Sequence, residues 1–189
     1  MNIHDYEIAG LEPEPTPAPV LVMGLGNILM EDEGVGIAVI ERLRQRYRLP
    51  DTVELLDGGT SGMALLDDLR LRERLIVVDA VRTGRPAGTI VVLKGEQVPA
   101  FFRSRISPHQ LALSDVLAVL TLTDEVPPDI TVIGVEPESL TTRLGLSKVV
   151  ADSLDALTKR VAEEISCDQR AQWRAINRSA SPAEGDYYL

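Results

Sequence analysis

Cysteine is almost absent from this chain: Cys167 is the single one in 189 residues. One thiol excludes an internal disulfide framework and any Cys-rich zinc site. Long apolar runs are missing too. None approaches the ~20 residues of a membrane span. No basic stretch followed by an apolar one opens the chain, so no signal peptide is expected. Positive charge is in deficit, with 19 Lys and Arg against 29 Asp and Glu, a net charge of −10 and a pI near 4.7. That balance disfavours nucleic acid and anionic membrane, which call for basic patches, and suits a cytoplasmic protein. Aromatic residues make up only 4% and histidines number two, His4 and His109.

What is present fits one domain with tails. Apolar content is an ordinary 44%, and the chain is long enough to bury a full core without disulfides or a structural metal. Residues 1–18 are rich in Pro and Glu and read as a flexible extension. Residues 19–166 read as a single α/β domain, and 167–189 as a peripheral tail. Within the domain, short apolar strands (Val20–Met23, Thr52–Leu56, Leu75–Val78, Thr89–Leu93, Ile130–Val135) alternate with helical patterns (Val35–Tyr47, Met63–Leu71, Gln110–Leu122, Ser147–Ile165). Strands alternating with helices predict an α/β fold: a largely parallel sheet with helices on both faces. Ligands of such sheets bind at the carboxyl ends of the strands. Glu33, Asp57, Asp79 and Glu138 all stand where an apolar strand stops, so they are expected to share one edge.

The most informative stretch is Val20–Gly36, an apolar run that ends in Gly24-Leu25-Gly26-Asn27 and continues into Glu31-Asp32-Glu33. A glycine turn feeding a helix favours an anion such as phosphate. Here the turn supplies carboxylates of its own, which repel phosphate and favour a cation. Leu29 stands where the dinucleotide fingerprint has its third glycine, although Asp57 could serve as the ribose-binding acid. A dinucleotide-binding oxidoreductase therefore remains an alternative. Gly59-Thr60-Ser61-Gly62 is not a nucleophile elbow, there is no P-loop lysine motif, and Cys167 has no histidine near it.

Three residue types then suggest a metal-engaging constellation. Glu33 opens the first helix, where an acid can also simply complement the helix dipole. Glu31 and Asp32 compete with it, and spacing does not choose among the three. Asp79 follows four apolar residues at a strand end, a place suited to chemistry or to capping a loop. Ser107-Pro108-His109 reads as N-cap, N1 and N2 of an apolar helix. The positive end of that helix keeps the imidazole neutral and able to ligate. Two carboxylates and an imidazole suit a borderline or hard divalent ion. Asp57-Gly58-Gly59-Thr60 is either a tight turn or a surface that a peptide approaches closely, and Asn27 either fixes its own loop or touches a ligand.

Five motifs in order carry a family likeness: G-L-G-N-I-L-M-E-D-E-G-V-G (24–36), D-G-G-T-S-G (57–62), L-I-V-V-D-A (75–80), I-S-P-H-Q-L (106–111) and G-V-E-P-E-S-L (134–140). Together they closely resemble the maturation endopeptidases of nickel–iron hydrogenases, from about Val20 to about residue 160. The resemblance implies a three-layer αβα sandwich around a twisted, mainly parallel five-stranded sheet. It implies removal of a short C-terminal peptide from the nickel-loaded large-subunit precursor. It selects Glu33, Asp79 and His109 as metal ligands and catalytic residues, with their roles left unassigned between metal engagement and water activation. Asn27, Asp57, Gly58, Gly59 and Thr60 are then expected to meet the substrate. Nickel is expected to arrive with the substrate, and no tightly bound metal of the protein's own is expected. A nickel-binding recognition module or chaperone that does not cut has the same ligands and is the other alternative. The partner implied is the precursor; oligomeric state is left open.

Overall fold

The computed structural model describes the backbone of residues 16–103 and 108–179; the side chains of 101–103, 108–112 and 167–179 lie outside that description. The five strands are β1 (Val20–Leu25), β2 (Val53–Gly59), β3 (Arg74–Ala80), β4 (Ile90–Lys94) and β5 (Asp129–Val135). They form one sheet in the order β2-β1-β3-β5-β4. β2, β1, β3 and β5 are parallel, and β4 runs antiparallel to β5 at the edge. The reversal has a physical cause. A parallel return needs a crossover of a dozen or more residues, usually helical, and residues 81–89 between β3 and β4 hold no helix.

Among the described residues five α-helices complete the fold: α1 (Val35–Arg46), α2 (Leu66–Leu69), α3 (Gln97–Arg103), α4 (Pro108–Leu122) and α5 (Lys148–Ser179). Side chains alternate across each strand, and the alternation sorts two cores. Val20, Val22, Ile76, Val78 and Ala80 pack with α1 and α5. Leu21, Met23, Leu25, Leu75 and Val77 pack with α2, with Val98 of α3 and with Leu113, Val116 and Leu120 of α4. The central strands β1 and β3 are buried on both faces, which is why their sequences are almost wholly apolar. The result is the three-layer αβα sandwich around a mainly parallel five-stranded sheet.

Three details differ from the sequence reading. The segment expected as a helix over Met63–Leu71 is a 3-10 turn (Met63–Leu65) and a single α turn that stops at Leu69. Leu71 adopts a left-handed backbone, φ 60°, as the chain reverses toward β3. Helix α3 was not anticipated. The tail boundary suggested at residue 167 falls inside α5, whose backbone continues to Ser179. No helix among the described residues is long and apolar enough to cross a membrane. Residues 1–15, with His4, lie outside the described residues.

Candidate functional site

The strand order creates a crevice. From β1 the chain moves outward to β2 and then returns to β3 on the other side of β1. The loops that leave the carboxyl ends of β1 and β3 therefore diverge, and ligands of open α/β sheets bind at such a switch point. Two glycines draw the chain tightly over it. A Cβ on Gly36 would lie 2.3 Å from the carbonyl oxygens of both Leu25 and Val78, so the first turn of α1 rests directly on the ends of β1 and β3. A Cβ on Gly26, whose φ is +126°, would lie 1.7 Å from the Glu33 carbonyl oxygen. The turn Glu31–Gly34 is thereby pressed against the end of β1. Asp79 follows Val78 directly, so these contacts bring the Glu33 turn and Asp79 to one place.

The acidic triplet divides by partner. Asp32 is fully buried. Its Oδ2 accepts the N–H groups of Glu138 at 2.9 Å and Ser139 at 3.0 Å, and its Oδ1 accepts that of Ser147 at 2.7 Å. Ser147 in turn accepts the Val150 N–H through Oγ, at the start of α5. Asp32 thus fastens the β5–α5 connection to the β1 loop. Glu31, with φ 49°, is buried and accepts from Thr141 Oγ1 at 2.9 Å and Arg143 Nη1 at 3.3 Å. Glu33 is the half-buried member of the three. Two of the carboxylates that spacing could not rank are therefore engaged by residues 138–147.

Asp79 is 1% exposed and its Oδ1 accepts the Ala80 N–H at 2.7 Å. It shares strand parity with Leu75 and Val77, which face the α2–α4 layer. Helix α4 leads into the amino end of β5, so it runs antiparallel to that strand and its own N-terminus lies at the carboxyl edge of the sheet. α4 begins at Pro108, which places His109 in its first turn at that edge, on the layer that Asp79 faces. The side chain of His109 and the expected cap Ser107 lie outside the described residues. Among the described residues no group of three His, Cys, Asp or Glu side chains is gathered to hold a metal.

The remaining candidates occupy the neighbouring loop cluster. Gly26 N–H donates to Gly59 C=O at 2.9 Å, joining the β1 and β2 loops. Asn27 Oδ1 accepts the Leu29 N–H and Asp57 Oδ1 accepts the Gly59 N–H, both at 3.0 Å, so each fixes its own turn. Gly58 is buried against Met23 and Leu25, Gly59 has φ +49°, and Thr60 is exposed. Glu138, counted with this edge by sequence, is exposed.

Glu136, two residues earlier, was not singled out. It is buried, and its carboxylate accepts from the Thr83 N–H, the Thr83 hydroxyl, and the Gly84 and Arg85 N–H groups. Burial pushes its pKa up, but these hydrogen bonds outweigh burial and hold it below the usual carboxylate range. The chain signal for it was the Thr83-Gly84 turn, whose N–H groups need an acceptor.

A cavity of about 400 Å³ lies elsewhere, at the amino end of the sheet between α3, α4 and Pro128–Ile130. Its walls are mostly apolar, with Val98, Leu117 and Val126, and it is remote from the carboxylates. The chemistry, not this cavity, locates the site.

Comparison with known proteins identifies the family. Residues 37–164 match the family described as hydrogenase maturation protease. The hydrogenase 2 maturation protease of Escherichia coli is 48% identical over 75% of this chain and 87% of its own length. The hydrogenase expression/formation protein HoxM of Azotobacter vinelandii is 41% identical over 66% of this chain and 61% of its own length. The solved structure of the hydrogenase maturating endopeptidase HybD from Escherichia coli superposes with a TM-score of 0.76 at 46% identity, covering 79% of this chain and 93% of that one. These relatives set aside the oxidoreductase alternative. The chain belongs to the hydrogenase maturation protease family and is a peptidase.

Proposed function

We propose that the protein removes a short C-terminal peptide from the nickel-loaded large-subunit precursor of a nickel–iron hydrogenase, with the substrate's nickel as the signal for cutting. The observation that carries this reading is the placing of Glu33 and Asp79 at the switch point between β1 and β3, with the first turn of α4, and so His109, at the same edge. Two carboxylates and an imidazole suit a divalent ion presented by a substrate. The set contains no thiolate, the ligand type that holds structural zinc firmly. This supports a site that engages the substrate's metal rather than keeping one.

Engagement would fix the scissile bond beside the carboxylates. The nickel would then polarise the carbonyl, or a carboxylate would take a proton from the attacking water. Asn27 and Asp57–Thr60 form the adjoining surface that receives the extended peptide. The catalytic roles fall to Glu33, Asp79 and His109.

The test is intact-mass spectrometry of precursor incubated with the protein, nickel-loaded beside nickel-free. Loss of one C-terminal peptide in the loaded sample alone is expected, and excess free divalent metal should inhibit it. Unchanged mass of a precursor that demonstrably binds would replace the reading by a recognition module that does not cut.

A further inference from the structure

We propose that Arg82 and Arg85 form a subsite that binds an acidic side chain of the protein substrate close to the bond cut. The inference rests on the peptidase reading above and adds a feature of the substrate. Three observations carry it.

The first is position. Residues 81–89 leave the carboxyl end of β3 and enter β4 at Ile90, which pairs with Val135 at the carboxyl end of β5. The whole loop therefore lies at the edge that holds Asp79. Arg82 follows Asp79 by three residues, so their Cα atoms are within about 11 Å, the reach of three extended residues.

The second is rigidity. The Glu136 carboxylate holds the N–H groups of Thr83, Gly84 and Arg85 at 2.6, 3.2 and 3.3 Å. Gly88 N–H donates to the Glu136 carbonyl at 2.8 Å, and Glu136 N–H donates to Thr89 at 2.9 Å. Gly84 supplies φ +81° at the turn. The backbone that carries both arginines is fixed, while their side chains are exposed.

The third is the lack of a partner in a chain with 29 acidic residues. Among the described residues, only Arg48, Arg82 and Arg85 of the lysines and arginines make no side-chain hydrogen bond or ion pair. Arg48 lies just past α1, at the opposite end of the sheet. Glu136, which Arg85 could have neutralised, is bonded to backbone instead. Two free guanidinium groups beside the candidate site suit a carboxylate, which they can take bidentately. Their reach of a few residues points to a side chain flanking the bond. The substrate's own C-terminal carboxylate moves out of range once the peptide removed exceeds about four residues.

Steady-state processing of nickel-loaded precursor should be compared for wild type, Arg82→Glu/Arg85→Glu and Arg82→Lys/Arg85→Lys. The charge-reversed variant is expected to raise KM roughly tenfold and change kcat less than about twofold, while the lysine variant, which keeps the charge but loses the bidentate fork, falls between it and wild type. Precursors with each Asp or Glu near the cut changed to Lys should restore KM for the charge-reversed variant. An unchanged KM in that variant overturns the subsite. So does a KM that responds only to amidation of the precursor's C-terminus. If wild type binds precursor without cutting it, the peptidase reading fails by itself. The dissociation constants of the same variants then decide the subsite, equal values overturning it.

Discussion

The two ends of the sheet handle buried carboxylates in opposite ways. At the amino edge the buried carboxylate is neutralised by cations. Glu164 of α5 is buried against Arg74 at 2.6 Å, Arg160 at 2.6 Å and Lys94, and Arg74 also pairs with Asp129 at 2.9 Å. Arg72, likewise buried, pairs with Glu54 at 2.7 Å. At the carboxyl edge Asp32 and Glu136 are buried and accept backbone N–H groups. Both arrangements satisfy the oxygens, but only the first cancels the charge. An N–H dipole stabilises a carboxylate and leaves its net charge in place. Asp32 and Glu136 thus keep their negative charge near the candidate site, which fits the metal engagement proposed above. Glu31, at the same edge, is paired with Arg143.

The contrast breaks first at the site itself. Glu33→Gln and Asp79→Asn should each lower kcat/KM for nickel-loaded precursor by roughly a thousandfold, about 4 kcal/mol of transition-state stabilisation. Both keep the size of the side chain, so the thermal midpoint should move by no more than about 2 °C. A melting point that falls together with activity would mean that the pair is structural, like its amino-edge counterparts.

Next in size is Asp32, which does the work of a fastener. Asp32→Ala strands the N–H groups of Glu138, Ser139 and Ser147 and should cost about 3–4 kcal/mol in urea unfolding. Asp32→Asn, which keeps one acceptor oxygen, should cost about 2 kcal/mol. A cost below about 1 kcal/mol for the alanine variant would show that water replaces the carboxylate and that the β5–α5 connection does not depend on it.

Legibility in the sequence follows the same divide. β1 and β3 could be read because both faces are buried and leave an uninterrupted apolar run, and Asp79 stood out by ending one. Pro108 marked the start of α4, as its lack of an N–H permits at a first turn. The triplet Glu31-Asp32-Glu33 could not be ranked. Glu31 and Asp32 are set apart by contacts with residues 138–147, more than a hundred positions away, and no local period encodes those. Glu136 and Glu138 share strand parity, so the pattern could not say which one is buried. α3 is seven residues with Pro99 at its third position, too short for a helical period to register. The family likeness supplied Glu33 where the residues alone left three candidates.

The amino edge gives the smallest of these effects and the clearest control. Burial raises the pKa of Glu164, but hydrogen bonds and charge from Lys94 and Arg160 outweigh it and bring it down from 4.5 to about 2. A carboxyl whose folded pKa is depressed stabilises the fold above its unfolded value and loses that contribution as pH falls through the folded one. The contribution of Glu164 should therefore be complete above about pH 4.5 and disappear toward pH 2. Glu164→Gln should cost about 2 kcal/mol at pH 7, because the buried Arg74 loses a charged partner. The difference from wild type should close over that acid window. Precursor processing at pH 7 should be unchanged, since the whole sheet separates this cluster from Asp79. Lost processing in a variant that is still folded would mean that the two edges are coupled through β3, and the separation drawn between them would fail.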